Sequence, residues 1–193
     1  MSTAIETEQL KKELEAFRNV ADPLKRNLLV LGVITKGLRK YRLRPILVGG
    51  RAVEFYTLGE YRTFDSDVVC AGTDELTNLL AVLGFKRIAR HWYFEPTDTA
   101  MEIPASYISG DIKRVKRIKI GKYVVFIVGI EDLIIDRLNA CVHWRSELDC
   151  DQAMTLIATH FNEIDWGYTR TRAKKAEVGE KLEELIKRIR KSV

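Results

Sequence analysis

The sequence predicts an α/β (α+β) protein in which a mixed β-sheet carries flanking helices and is followed by a C-terminal helical region. Three observations lead to this fold class. Short apolar runs bounded by glycine alternate with segments whose apolar residues recur every three or four positions, which is typical of strands alternating with helices. Two later pairs of extended segments are joined by turn-forming residues. The last part of the chain contains amphipathic stripes and no strand pattern.

The composition describes a compact protein with a sizeable core. The chain has 193 residues, of which 46% are hydrophobic and 31% charged, and its 32 Lys+Arg and 27 Asp+Glu give a net charge of +5. This balance excludes collagen-like and wholly disordered chains. We expect one domain over residues 1–193, with N-terminal helices over 1–44, a core over 45–128 and a helical region over 129–193.

The sequence shows no membrane or export signal. One of its longest uncharged apolar runs, Tyr123 to Ile130, is far below the roughly 20 residues that cross a bilayer. Met1 to Leu10 lacks the basic start and apolar stretch of a secretory signal. We therefore expect a cytoplasmic protein with no membrane partner.

The cysteines and histidines form no ligand pattern. The cysteines are odd in number and widely spaced, which predicts small, unpaired core residues rather than a disulfide framework or a zinc site. The histidines lack the spacing that places two imidazoles on one helical face, so they carry no catalytic signal alone. These residues are Cys70, Cys141, Cys150, His91, His143 and His160.

The first half of the chain predicts helices alternating with short strands. Asp22 and Pro23 have the residue types of an N-cap and a first helical position, and Gly84 is suited to ending a helix. The uninterrupted apolar run Ile46 to Val48 is typical of a strand buried on both faces. The predicted helices are Glu6 to Phe17, a second helix after Pro23, Arg51 to Leu58 and Thr73 to Leu83, and the predicted strands are Ile46 to Val48 and Asp65 to Cys70.

The second half predicts two hairpins followed by three helices. Glu95 to Asp98 has the composition of a hairpin loop, and Gly121-Lys122 forms the turn of the second hairpin. The extended segments are Arg87 to Phe94, Thr99 to Ile103, Val115 to Ile120 and Tyr123 to Val128. The three apolar stripes begin at Leu133, Leu148 and Leu182, and their helices are expected to pack against the sheet.

Two aspartates stand at the start of the predicted strand Asp65 to Cys70. Alternate residues of a strand point to the same face, so Asp65 and Asp67 place two carboxylates on one side, with α-carbons about 6.6 Å apart. Two like charges at that spacing raise each other's pKa and oppose folding unless a cation lies between them. Oxygen ligands of this type favour Mg²⁺ or Mn²⁺ over zinc. An acidic strand end in solvent or a capping turn is the alternative interpretation.

Glu102, in the strand-like run Ala100-Met101-Glu102-Ile103, is the candidate third acid. If its strand lies beside the aspartate strand, at the usual spacing of about 4.8 Å, its carboxylate joins the cluster. Three acids on adjacent strands hold two metal ions about 3.5 to 4 Å apart, a geometry that activates an attacking oxygen and stabilises a leaving phosphate. A glutamate that faces water from an edge strand is the alternative.

Gly49-Gly50 lies between a predicted strand and a predicted helix. Glycine there lets the backbone approach a ligand closely, and the free N–H groups of the helix start favour an anion such as a triphosphate. We expect Arg51 and Arg62 to add charge-assisted contacts. The P-loop and dinucleotide-binding glycine patterns are absent from the sequence. A plain tight turn and ordinary surface or ion-pairing arginines are the alternatives.

The glycine corner and the acids together resemble the nucleotidyltransferase superfamily, the fold shared by DNA polymerase beta and kanamycin nucleotidyltransferase. The resemblance spans about residues 28–190 and rests first on Gly49-Gly50, Asp65-x-Asp67 and a separate acidic strand residue. Three wider patterns are similar to stand-alone prokaryotic nucleotidyltransferase-like proteins that include AbiEii-type toxins. They are Arg62-Thr63-x-Asp65-x-Asp67, Gly129-Ile130-Glu131-Asp132-Leu133-Ile134-x-x-Arg137-Leu138-x-Ala140 and Asp149-x-Asp151.

This resemblance implies a nucleotidyltransferase-like sheet and a set of site residues. Gly49 and Gly50 would hold nucleotide phosphates, and Arg137 would touch the triphosphate. The implied metal-binding and catalytic residues are Asp65, Asp67 and Glu102. The acids of Asp149-x-Asp151 match positions to which no role is assigned.

Basic residues concentrate in the segments Lys36 to Arg44, Lys113 to Lys122 and Arg170 to Lys175. In the second segment Arg117 and Lys119 alternate with isoleucines, which gives a strand one cationic face. Such a face is suited to follow an RNA backbone. A lysine-rich edge strand that resists aggregation is the alternative.

The sequence therefore predicts a nucleotidyltransferase, dependent on Mg²⁺ or Mn²⁺, that uses a nucleoside triphosphate and releases pyrophosphate. RNA, tRNA included, is the candidate acceptor, and a toxin role with an antitoxin partner protein follows from the resemblance alone. Two alternatives stay open. One is a module that retains the fold and binds nucleotide or nucleic acid without transfer, and the other is a toxin–antitoxin subunit that acts through protein contacts.

Overall fold

Eight α-helices and seven strands make up the described part of the chain. The computed structural model describes residues 2–192, with side chains over 5–191, so Met1 and Val193 lie outside it. The helices are α1 (Ser2–Glu15), α2 (Pro23–Leu38), α3 (Gly49–Tyr56), α4 (Thr73–Leu83), α5 (Ile130–His143), α6 (Glu147–Thr159), α7 (Trp166–Lys175) and α8 (Gly179–Ser192). The strands are β1 (Ile46–Val48), β2 (Asp65–Val69), β3 (Lys86–Ile88), β4 (His91–Phe94), β5 (Thr99–Glu102), β6 (Lys116–Ile120) and β7 (Tyr123–Ile127). Within residues 2–192, no helix has both the length and the apolar character that a membrane span requires.

The strands form one mixed sheet in the order β3-β4-β5-β2-β1-β7-β6. β1 is antiparallel to β2 and parallel to β7, while β2 is parallel to β5. The chain neighbours β3, β4 and β5 pair antiparallel at one edge, and the β6–β7 hairpin forms the other edge. This mixed sheet with its helices confirms the predicted α/β fold class.

One face of the sheet carries the apolar core. Leu47, Val68 and Met101 point to this face from three adjacent strands and are almost fully buried. α2 approaches β7 very closely here, since a β-carbon added to Gly32 would lie 2.6 Å from the β-carbon of Tyr123. The opposite face carries Asp65, Asp67, Glu102 and His91, next to buried apolar residues such as Val69 and Ala100.

Local sequence signals place most elements correctly. The Asp22 side chain accepts a hydrogen bond from the Lys25 N–H at 3.3 Å, and Pro23 opens α2, as predicted. α3 begins at Gly49, two residues before its predicted start. The predicted extended segment Arg87 to Phe94 is two strands, because Ala89 adopts a left-handed conformation with φ of 53° and turns the chain.

The C-terminal region contains four helices, so the prediction of three was wrong. The missed helix is α7, whose buried residues are Thr169 and Ala173. Two small buried residues do not make the apolar stripe from which the other helices were recognised.

The prediction that all cysteines are unpaired was also wrong. Cys141 at the end of α5 and Cys150 at the start of α6 form a disulfide, with α-carbons 4.8 Å apart. The two helices are joined by the short link Trp144 to Ser146, which turns the chain back and brings the two cysteines together. Cys70 is a free, buried thiol, as predicted.

Candidate active site on the polar face of the sheet

Three carboxylates gather where β2 lies between β1 and β5. The parallel pairing of β2 with β5 makes Asp67 the register partner of Glu102, and Val48 is its partner on β1. Asp65 stands two residues earlier on β2 and therefore points to the same face. The strand that carries Glu102 is thus the neighbour of the aspartate strand, and the structure brings the three predicted acids together.

His91 lies within this cluster, although sequence reasoning gave it no role. Its Nε2 is 3.2 Å from Oδ2 of Asp65 and 3.6 Å from Oε2 of Glu102. One potential ligand atom from each of these three residues lies within 4.8 Å of the others. A usable signal was present in the sequence, because continuing the register of the predicted hairpin across Glu95 to Asp98 pairs His91 with Glu102.

The cluster concentrates negative charge in a half-buried position. Burial, followed by the charges of Asp65 and Glu102, raises the pKa of Asp67 to about 6, while the charge of Arg137 acts in the opposite direction. The Thr63 hydroxyl donates a hydrogen bond of 3.2 Å to Oδ1 of Asp65. Carboxylates crowded in this way are stabilised by a cation.

Gly49 forms the corner between β1 and α3, directly beside Asp67. Its φ of +62° lies in the left-handed region, and an added β-carbon would lie 2.0 Å from Oδ2 of Asp67. Both its conformation and this contact require glycine. Gly50 has more room, since its added β-carbon would lie 3.4 Å from the Thr63 side chain. The free N–H groups at the start of α3 therefore open next to the acidic cluster.

Arg51 and Arg62 lie in different environments. Arg51 is 2% exposed, and its guanidinium donates to the Glu54 carboxylate at 2.6 Å and to the Phe64 carbonyl at 2.8 Å. These bonds tie α3 to the segment that enters β2. Arg62 is exposed in the loop before β2.

Arg137, on α5, is close enough to the cluster for its charge to lower the pKa of Asp67. Its Nη1 lies 2.7 Å from Oδ1 of Asp149 and 3.3 Å from Oε1 of Gln152. The first acid of Asp149-x-Asp151 thus fixes this arginine, whereas Asp151 is exposed.

Comparison with known proteins shows a likeness in structure. No protein-family model and no curated protein matches the sequence. Among solved structures, the crystal structure of an antigenic nucleotidyltransferase-like protein from Paracoccidioides brasiliensis matches with a TM-score of 0.58 and 16% sequence identity. The match covers 86% of this chain and 93% of that chain. The fold is nucleotidyltransferase-like.

The donor set on this nucleotidyltransferase-like sheet fits a divalent cation. Asp65 and Glu102 offer carboxylate oxygens and His91 offers an imidazole nitrogen, all within 4.8 Å of one another. Carboxylates suit Mg²⁺ and Mn²⁺, whereas an imidazole is the type of ligand that suits zinc, iron and nickel. β4 thus adds a nitrogen donor to the face that carries the predicted oxygen ligands.

Proposed function

We propose that the protein is a metal-dependent nucleotidyltransferase that transfers a nucleotidyl group from a nucleoside triphosphate to an acceptor hydroxyl. The observation that carries this proposal is the convergence of Asp65, Asp67 and Glu102 on one face of the sheet, beside the Gly49 corner. The nucleotidyltransferase-like fold supports it.

The residues of the acidic cluster and those of the glycine corner have different roles in this proposal. Asp65, Glu102 and His91, with Asp67 beside them, would hold the divalent cation, which when bound neutralises the charge on the phosphates. The N–H groups of Gly49 and Gly50 bind phosphate oxygens at the start of α3. The proposed metal ligands and phosphate-binding residues are Asp65, Asp67, His91, Glu102, Gly49 and Gly50.

The proposed reaction is an in-line substitution at the α-phosphorus. The acceptor oxygen forms a bond to this phosphorus, the bond to the bridging oxygen of the β-phosphate breaks, and pyrophosphate leaves. The proton of the acceptor hydroxyl passes to a carboxylate of the cluster. Positioning and electrostatics supply most of the rate enhancement.

The arginines take two kinds of role in this proposal. Arg137 contacts the triphosphate, since it lies near Asp67 and its orientation is set by Asp149. Arg62 is free to reach a phosphate from the exposed loop before β2. Arg51 is a positioning residue, because its buried guanidinium is bonded to Glu54 and to the segment leading into Asp65.

The acceptor is proposed from charge and resemblance. The exposed basic side chains of β6 make RNA, tRNA included, the favoured acceptor. A toxin role with an antitoxin partner rests on the sequence resemblance to AbiEii-type toxins.

Transfer and metal binding can be tested together. The protein is incubated with α-labelled nucleoside triphosphates, Mg²⁺ or Mn²⁺, and a tRNA pool or short RNAs, while label transfer and pyrophosphate release are measured. We expect Asp65→Asn and Asp67→Asn to reduce transfer at least about 100-fold, since each removes charge at the reacting centre. Calorimetric titration with Mn²⁺ should show weaker binding in both variants.

Asp74→Asn is the matched control, because it removes an exposed aspartate from the first turn of α4. It should leave both transfer and Mn²⁺ binding close to wild type. Absence of metal-dependent nucleotide binding in the wild type would overturn the proposal.

A binding module without transfer activity is the second candidate. It is favoured by Arg90, whose Nε lies 3.1 Å from Oε2 of Glu102, and by His91 beside Asp65, since both give the acids partners from within the protein. Arg90 is 72% exposed, so this pair contributes little stability. Metal-dependent nucleotide binding without pyrophosphate release across all acceptors would support this candidate.

A further inference from the structure

The fold joins two basic segments that are far apart in the sequence. The C-terminal end of α2, the loop 39–44 and the β6–β7 hairpin surround a cavity of about 670 Å³. It opens at the N-terminal ends of β1 and β7, whereas Gly49 and the acids lie at the C-terminal end of β1. Its basic lining residues are Lys36, Arg39, Arg42, Arg44, Arg117 and Lys122.

A single buried carboxylate neutralises part of this charge. Glu13 on α1 lies 2.9 Å from the ammonium groups of both Lys36 and Lys122. Burial alone would raise the pKa of Glu13, but the hydrogen bonds from Lys122 and Lys36 outweigh it and lower the pKa to about 2. The two lysines are therefore held in place around one ionised partner.

The four arginines of the lining differ from the two lysines. Among the side chains of residues 5–191, no carboxylate forms an ion pair with Arg39, Arg42, Arg44 or Arg117, and all four are exposed. Cations that converge in one concave space repel one another and raise the local concentration of anions. Guanidinium groups are suited to phosphate because they bind it through two hydrogen bonds.

The cavity also has apolar lining residues. Leu43, Val124 and Phe126 line it, and the Arg44 guanidinium lies 5.5 Å from the centre of the Phe126 ring. Its volume lies within the range of about 300 to 1,000 Å³ that is usual for small-molecule sites. A lining that combines apolar residues with four arginines matches a ligand that combines phosphate with a flat organic ring.

We propose that this cavity is a second ligand site, separate from the acidic cluster, that binds a phosphate ester of nucleotide size. The shared chemistry is a phosphate attached to a nucleoside, whether it comes from a free nucleotide or from a single-stranded RNA. The proposal does not depend on Asp65, Asp67 or Glu102.

Binding is measured in EDTA, so that metal-dependent binding at the acidic cluster does not contribute. The probes are a fluorescent oligouridylate of six nucleotides and ATP, and the test variant is Arg42→Asn with Arg117→Gln. Asparagine suits position 42 because Arg42 has a φ of 56° and asparagine tolerates the left-handed region. We expect at least about tenfold weaker binding and a salt-dependence slope lower by about 2, one for each lost phosphate contact.

The control is Arg87→Gln with Lys187→Gln, which removes the same charge from exposed positions on β3 and α8. It should bind as the wild type does. Displacement of the oligouridylate by ATP identifies a free nucleotide as sufficient, while binding of the oligouridylate alone identifies RNA.

Three outcomes would overturn the proposal. The first is that the wild type binds neither probe at about 50 mM salt, where phosphate contacts are strong. The second is equally weakened binding in both double variants. The third is unchanged binding in the Arg42/Arg117 variant. Circular dichroism verifies that each variant is folded. Since nucleotidyl transfer is assayed with metal and Asp65 variants, failure of one proposal is distinguishable from failure of the other.

Discussion

Of the two adjacent glycines at the corner after β1, only Gly49 must be glycine for structural reasons. Gly49 has a positive φ, and its missing side chain leaves space for the Asp67 carboxylate. Gly50 lies within α3 at ordinary van der Waals distance from Thr63. The conformation of one residue therefore sets both the start of a helix and the position of an acid of the cluster.

Gly49→Ala should destabilise the protein by at least about 1–2 kcal/mol, the cost of a left-handed alanine, with a further cost from the clash with Asp67. Gly50→Ala should change the free energy of unfolding by less than about 0.5 kcal/mol. Urea unfolding at pH 7 measures both values. Similar losses in the two variants would contradict this account of the corner.

At the scale of elements, polar contacts position α7. Asp132, in the first turn of α5, is 1% exposed and accepts hydrogen bonds from the Tyr168 hydroxyl at 2.7 Å and from the Asp111 N–H at 3.0 Å. Its Oδ1 also lies 3.3 Å from Nε of Arg172. Burial and this carboxylate raise the pKa of Tyr168 to about 12. One carboxylate thus connects α5, α7 and the segment before β6.

Asp132→Asn should loosen α7, because an amide replaces the carboxylate that accepts two hydrogen bonds and forms an ion pair with Arg172. We expect a loss of about 1–3 kcal/mol in stability and faster amide hydrogen exchange over Trp166–Lys175 than elsewhere. Asp151→Asn, at an exposed position on α6, is the control and should leave exchange in α7 unchanged. Uniform acceleration across the whole protein in Asp132→Asn would contradict a local role.

At the scale of the whole molecule, Glu13 connects parts of the chain that are distant in sequence. It is 7% exposed and bonds Lys36 on α2 and Lys122 in the turn of the β6–β7 hairpin. Its pKa falls from 4.5 to about 2, because these lysines outweigh the opposing effect of burial. A carboxyl group with a lowered folded-state pKa stabilises the fold above its unfolded-state pKa and loses this contribution as the pH falls.

Glu13→Gln should therefore be less stable than the wild type by about 1–3 kcal/mol at pH 7, since the charge-assisted bonds are lost. This difference should shrink between pH 4.5 and about pH 2, as the wild-type carboxyl takes up its proton. Denaturant unfolding at several pH values measures it. Glu15→Gln, which removes an exposed carboxylate from α1, should change stability by less than about 0.5 kcal/mol at pH 7. A pH-independent difference for Glu13→Gln would refute the role of the charge.

Local patterns in the sequence determined most of the elements. The apolar run Ile46 to Val48, the cap formed by Asp22 and Pro23, and the two hairpins are each encoded within about ten residues, because periodicity and turn chemistry act locally. The spacing of Asp65 and Asp67 also placed two acids on one face without knowledge of their neighbours.

Tertiary structure alone decided which of these elements meet. The parallel pairing of β2 with β5 joins Glu102 to the aspartates, and it brings His91, the hairpin partner of Glu102, to the same place. The cavity shared by two basic segments likewise depends on how helices and strands pack. Contacts of this kind depend on burial of the whole core and on the pairing of distant strands. Short-range periodicity in the sequence does not specify them.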